Sequence, residues 1–207
     1  MCGGSTRLTV SRETLLREHF QENGDKIAWY AEILQSWGID RGLIGPKEGG
    51  RIWERHIANC IPLTTLIPVG VKVVDIGSGA GLPGVVIALA RPDLTITLIE
   101  PLQRRVDFLH EVLEVLDLPV EVIRGKSEGV KRSFDIVTAR AVAPFPKLLS
   151  ISWHLVKPLG ALLAMKGEGA QNEIDLTEPK KHSVTSLRTV ELSGFDTSRI
   201  IEVRKTA

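Results

Sequence analysis

The residues best suited to chemistry cluster in one short run. Asp75-Ile76-Gly77-Ser78-Gly79-Ala80-Gly81-Leu82-Pro83-Gly84 sets an acid at the head of a glycine series. Glycine permits sharp turns and lets backbone approach a ligand closely. A second acid, Glu100, ends the apolar stretch Leu94 to Ile99, where a carboxylate can accept both hydroxyls of a ribose. Two ligand chemistries fit this set. Gly79, Gly81 and Gly84 spell the dinucleotide pattern G-x-G-x-x-G. Asp75, Gly77, Gly79 and Gly81 spell acid-x-G-x-G-x-G instead. An acid at that point repels a pyrophosphate and suits a cationic ligand, such as a sulfonium carrying an amino group. Further along, Arg140 and Lys166 each follow an apolar run and could hold phosphates.

The elements around these residues alternate. Val71 to Ile76 is short, apolar and β-branched, and glycines then lead into a helical run from Pro83 to Ala90. Leu94 to Ile99, Val120 to Ile123, Phe134 to Thr138 and Gly160 to Met165 read as further strands. Helices are expected at Val106 to Leu116 and Lys147 to Val156. This alternation predicts a parallel sheet with right-handed crossovers. Its ligand should sit at the carboxyl ends of the strands, where strand order reverses. Ser183 to Leu192 and Arg199 to Val203 flank Ser193-Gly194-Phe195-Asp196 and predict a closing antiparallel hairpin.

The first part of the chain reads as helices. Ser11 is a candidate N-cap, Gly38 a candidate C-cap, and a third helix is expected from about Gly50 to Leu66. His56 falls on its apolar face, as a core residue or as a ligand contact. Trp29, Trp37 and Trp53 read first as core anchors. The expected organisation is a helical extension over 1–67 and a core over 68–207 within one domain.

Composition narrows the function classes. The chain has 207 residues, 43% hydrophobic and 25% charged, as in ordinary globular proteins. Cys2 and Cys60 offer no zinc-site spacing, so no metal is expected, and two reduced thiols suit the cytoplasm. The stretch from Ile57 to Val71 is too short to span a bilayer and contains Pro62 and Pro68, so no membrane association is expected. Net charge is only +1. Between Arg124 and Lys147, however, Arg124, Lys126, Lys131, Arg132, Arg140 and Lys147 face only Glu128 and Asp135, a local charge of +4. That segment is either a solvated basic face or a phosphate-binding mouth.

The acid-headed glycine series with Glu100 resembles class I S-adenosylmethionine-dependent methyltransferases. Thr138 to Ala143 lacks the Asn/Asp-Pro-Pro-aromatic motif of exocyclic-amine methyltransferases, and no Pro-Cys nucleophile is present. An acceptor that is nucleophilic without losing a proton remains. Guanine N7, with its exposed lone pair, is one, and it requires no general base.

The resemblance then becomes specific. Arg55-His56-Ile57-x-Asn59, Val74 to Gly84, Glu100-Pro101-x-x-Arg104-Arg105, Ala139-Arg140-Ala141 and Met165-Lys166-Gly167 occur in this order. Together they resemble the glucose-inhibited division protein B family of 16S ribosomal RNA guanine-N7 methyltransferases, in its actinobacterial branch. Cys60 stands where that family usually has serine. The resemblance implies an α/β class I methyltransferase fold, S-adenosylmethionine as cofactor and the small ribosomal subunit as partner, with a monomer expected. It implies cofactor contacts at Gly77, Leu82, Ser127, Glu128 and Arg140, beside Asp75, Gly79 and Glu100 from the residue reading. Arg140 and Lys166 are the expected catalytic residues, and Arg124 or Lys126 would join them against RNA. A side chain at Gly77 is expected to fill space that the cofactor needs. The alternatives are a small-molecule methyltransferase of the same fold and a non-catalytic RNA-binding module.

Overall fold

A computed structural model describes residues 12–192 and 195–206 of the chain. The expected cap at Ser11 and the turn residues Ser193 and Gly194 lie outside the described residues. Seven strands form one sheet: β1 (Lys72–Ile76), β2 (Thr95–Glu100), β3 (Glu121–Arg124), β4 (Phe134–Arg140), β5 (Val156–Lys166), β6 (Ser183–Val190) and β7 (Ser198–Lys205). Their order is β3-β2-β1-β4-β5-β7-β6. The first five strands run parallel, and β7 inserts antiparallel between β5 and β6. Strand order therefore reverses between β1 and β4, and a ligand crevice belongs at their carboxyl ends.

The central strands are apolar because both faces of the sheet are covered. Val73, Leu98, Ile136, Leu163 and Met165 join one buried cluster, with α4 (Gly84–Ala90), α5 (Gln103–Val115) and the N-terminal helices. Val74, Ile76, Val137 and Ala139 join a second, with α6 (Phe145–Ser152) and α7 (Ala170–Asp175). Several boundaries differ from the sequence expectation, and the helix expected from about Gly50 to Leu66 is broken into separate turns before α3. Strand β5 already begins at Val156, α6 is correspondingly earlier and shorter, and α7 was not anticipated.

The N-terminal segment comprises α1 (Arg12–Leu15), α2 (Gly24–Ile33) and α3 (Asn59–Thr64), joined by tighter and wider helical turns that include Pro46–Arg51 and Ile52–Ala58. Gly38 is not the C-cap. It is buried within a helical turn, and its carbonyl accepts the N–H groups of Leu43 and Ile44. The left-handed residue after this helix is Gly42, at φ 67°. Several side chains tie the segment to the sheet layer, among them Tyr30 and Asn23. The Tyr30 hydroxyl donates to the Ala80 carbonyl at 2.8 Å, and Asn23 Nδ2 donates to the Leu89 carbonyl at 2.9 Å. The first of these holds the glycine turn from beneath.

Candidate active site

Strand β1 ends at Ile76, and the chain turns through Gly77 to Pro83 before α4 begins. Gly77 sits at φ 64° and Gly81 at φ 98°, which L side chains rarely adopt. A Cβ at Gly77 would meet Val142 Cγ2 at 2.8 Å, so its open side faces the loop after β4 and not a vacant ligand space. A larger residue there strains the turn as well as the site, contrary to the simple space-filling expectation.

Two cavities share Gly77. One, of about 190 Å³, is lined by Gly77, Ser78, Gly79, Ala80, Leu82, Arg105, Arg140, Ala141, Leu43 and Ile44. The other, of about 230 Å³, includes Ile99, Pro101, Lys126, Ser127, Glu128 and Val142 among its walls. Gly77, Gly79, Leu82, Ser127, Glu128 and Arg140 are thus brought together as expected, along one cleft at the switch point. A third cavity of about 220 Å³, lined by Asn59, Arg140, Ala141, Met165, Lys166 and Gly167, adjoins the first at Arg140 and Ala141. Ala141 adopts φ 54° at this junction, an uncommon conformation for a non-glycine residue.

The two acids of the sequence motif lie under the cleft, not in it. Asp75 is fully buried. Its parallel register with Thr138 brings that hydroxyl to Oδ1 at 3.0 Å, while Gly84 N–H donates to Oδ2 at 3.2 Å. Burial pushes its pKa up to about 7, against the pull of these hydrogen bonds and of Arg140. The acid therefore fixes the start of α4 and the edge of β4. It is not among the residues that line either cavity. The first cavity is instead lined by two cations, Arg105 and Arg140, and by no acid.

Glu100 is 1% exposed. Its Oε2 accepts Gly79 N–H at 2.9 Å, its Oε1 accepts Leu102 N–H at 3.0 Å, and the Arg105 guanidinium lies 3.7 Å away. It shapes the turn from behind, and ribose hydroxyls could share only its remaining lone pairs. Arg105 Nε is buried without a hydrogen-bond partner among the described residues. An unsatisfied buried donor beside a polar cavity is what an absent anionic ligand group would explain.

Lys166 corrects another expectation. Its side chain is 10% exposed, and Nζ donates to the Ala143 carbonyl and to Glu173 Oε2, both at 2.8 Å. Glu173 also accepts Phe145 N–H. The lysine is a compensated brace between β5, the loop after β4 and α7, not an open cation for phosphate. Arg140 is held differently. Its Nη2 lies 2.9 Å from His56 Nδ1, and Nη1 approaches the Arg55 carbonyl at 3.4 Å. Of the basic segment, Arg132 pairs with Glu121 at 2.7 Å. Arg124, Lys126, Lys131 and Lys147 are exposed and make no ion pair among the described residues.

Sequence reasoning gave no site role to Val142, Glu48 or Glu173, and did not place Leu43 and Ile44 beside the glycine turn. The loop Gly42-Leu43-Ile44-Gly45 stood out only as a departure from the family's pattern, with no cofactor-side role attached, and Glu173 lies on the unanticipated α7. Among the described residues no group of three or more His, Cys, Asp or Glu side chains could hold a metal ion. No helix among them is long and apolar enough to cross a membrane.

Among solved structures, the chain is similar to a methyltransferase from Pyrococcus furiosus, with TM-score 0.58 and 15% identity over 91% of this chain and 100% of that one. It is also similar to the ribosomal protein L11 methylase from Lactobacillus delbrueckii subsp. bulgaricus, with TM-score 0.56 and 12% identity over 71% and 76%. At such identities these likenesses show the fold alone, that of class I methyltransferases. Sequence relatives are much nearer. Ribosomal RNA small subunit methyltransferase G of Thermobifida fusca is 54% identical over 162 residues, covering 77% of this chain and 68% of the relative. The protein of that name from Acidothermus cellulolyticus is 50% identical over 164 residues, covering 79% and 74%. Residues 23–201 match the GidB family model, described as rRNA small subunit methyltransferase G, and the chain belongs to that family.

Proposed function

We propose that this chain transfers a methyl group from S-adenosylmethionine to N7 of a guanine in 16S ribosomal RNA. The observation that carries the reading is the meeting of the two-lobed cleft with a third cavity at Arg140 and Ala141. The lobes together fall in the range of about 300–1,000 Å³ usual for small-molecule sites. The lobe with Pro101, Ile99 and Val142 offers apolar walls for a base, with Ser127 and Glu128 at its edge. The lobe with Arg105 and Arg140 suits a carboxylate, which would satisfy the orphaned Arg105 Nε. When bound, the cofactor supplies an electrophilic methyl on a sulfonium.

The chain's own task is then positioning. Guanine N7 carries a free lone pair, so no residue of this chain needs to take a proton from it. In-line placement at near-attack distance can supply most of the acceleration for such a step. Arg140 orients the base or its phosphate at the mouth, while Lys166 acts at one remove by fixing Ala143 and Glu173. Exposed Arg124, Lys126 and Lys147 provide contacts for RNA phosphates. We infer a monomer working in the cytoplasm. The test is transfer of labelled methyl to small-subunit ribosomal RNA, followed by mapping of the modified base. Label on a metabolite extract, or on neither substrate, would refute the reading.

A further inference from the structure

The N-terminal segment reaches the site through a chain of side chains that the reaction chemistry does not require. Glu48 stands in the turn Pro46–Arg51 and His56 in the next helical turn, Ile52–Ala58. His56 Nδ1 lies 2.9 Å from Arg140 Nη2. A guanidinium has only donors, so Nδ1 must be the acceptor and the ring proton must sit on Nε2. Nε2 in turn lies 3.3 Å from Glu48 Oε2, close enough for electrostatic pairing although not aligned as a hydrogen bond. The order is carboxylate, imidazole, guanidinium, and it ends on the cation that borders both the cofactor lobe and the adjoining cavity.

We propose that His56, backed by Glu48, is a positioning residue that fixes the direction of Arg140 at the mouth of the site. The assignment rests on the methyl-transfer reading only for its kinetic consequences, because the geometry stands without it. Sheet register explains the need. Arg140 pairs with Met165 on β5, so no acid lies beside it in the sheet. Its remaining protein contacts, the Arg55 carbonyl at 3.4 Å and Cys60 Sγ at 4.0 Å, are long. Without His56 the guanidinium would have no firm anchor. The same anchor gives the helical extension a task at the site beyond covering the sheet.

The groups facing His56 are Arg140 from β4, Glu48 from the preceding turn, Arg55 from its own turn, and Cys60 from α3, whose thiol donates to the His56 carbonyl. Burial and the two arginines hold the imidazole below its usual range, against Glu48. Protonation would turn Nδ1 from acceptor into donor and release Arg140.

The experiment combines single-turnover methyl transfer, calorimetry with S-adenosylmethionine and nitrogen NMR of the labelled imidazole. His56→Ala should slow transfer by about tenfold to a hundredfold, the scale of a misplaced reacting group. Cofactor affinity should fall by a smaller factor than the rate, because Arg105 still lines the cofactor lobe, while Arg140→Ala should be at least as slow. The double variant should be no slower than Arg140→Ala, since His56 acts through that arginine. His56→Gln, which can still accept, should recover part of the rate. The rate should fall on the acid side of the lowered histidine pKa, at still lower pH in Glu48→Ala, and show no such fall in Arg140→Ala. A general base would keep its acid limb in that last variant, and this result would overturn the assignment, as would multiplicative losses in the double variant. The NMR spectrum decides the geometry even if the RNA receives no methyl group, a result that sinks the proposed function alone. An Nε2–H tautomer whose pKa rises in Arg140→Ala supports the chain of contacts, and an Nδ1–H tautomer refutes it.

Discussion

Replacing Asp75 by asparagine separates two roles that the acid-headed glycine motif leaves open. As a cofactor ligand, the carboxylate would be needed for binding. As a buried clamp, it holds Gly84 N–H and the Thr138 hydroxyl and never meets the ligand. Asparagine is nearly isosteric. Its Oδ1 can accept from Gly84, and its Nδ2 can donate to Thr138, whose own proton turns to the Val74 carbonyl, now 3.4 Å away. No polar group need be orphaned, so the variant should fold.

The magnitude follows from the raised pKa. Asp75 moves from 3.8 to about 7 on folding, chiefly through burial. Because the folded value is the higher one, the group's stabilising contribution is complete below the unfolded value and is lost as pH rises through about 7. At about 1.4 kcal/mol per pKa unit, the full loss is at most about 4 kcal/mol. Asparagine, neutral at every pH, removes this loss, and the hydrogen bonds from Gly84 and Thr138 to the charged form are already contained in the raised pKa. Urea unfolding should therefore find the variant about 2–4 kcal/mol more stable than the parent near pH 8, with the gap narrowing below pH 7 and closing near pH 4. Asp93, Glu111, Glu121, Glu173 and Glu202, whose pKa values are lowered, pull the pH dependence of both proteins the opposite way and cancel in the difference. Calorimetry should find cofactor affinity within about threefold of the parent, because the side chain is fully buried. A variant that is less stable by the same amount at every pH would show an ionised, stabilising carboxylate. Lost cofactor affinity with intact stability would make Asp75 a ligand after all.

Three further outcomes are expected. Gly81→Ala should cost about 2–4 kcal/mol in thermal unfolding, since its Cβ would lie 2.6 Å from Val85 and 2.9 Å from the Tyr30 hydroxyl at φ 98°; a loss under about 1 kcal/mol would show that the turn can relax. Alanine at Arg124, Lys126 or Lys147 should each lower the log–log salt slope of RNA binding by roughly 0.7–0.9, whereas Lys166→Ala should leave it unchanged; an equal drop for Lys166 would place its ammonium on a phosphate. Ala141→Gly should leave stability level or raise it by up to about 1 kcal/mol, because φ 54° is relieved, while slowing methyl transfer through a looser Arg140; an unchanged rate would separate the two residues.

The strands, the glycine turn and the placement of Glu100 and Arg140 at strand ends were legible because β-branched runs and glycines act locally. Whether a charge is compensated is not local, and sequence alone does not display it. Asp75 looked like a ligand because sequence displays its formal charge but not the Thr138 hydroxyl set beside it by the β1–β4 register. Lys166 and Arg140 looked alike, each a cation closing an apolar strand. Their surroundings divide them. Lys166 stands in register with Arg199 on β7, a like-charged neighbour, and is neutralised from outside the sheet by Glu173 on α7. Arg140 stands beside Met165, forms no ion pair among the described residues, and turns to a histidine contributed by the N-terminal segment. A strand-end cation can meet substrate only when no acid of the fold has already claimed it. By that criterion Arg140 can act at the mouth, and Lys166 acts by holding the loop that shapes it.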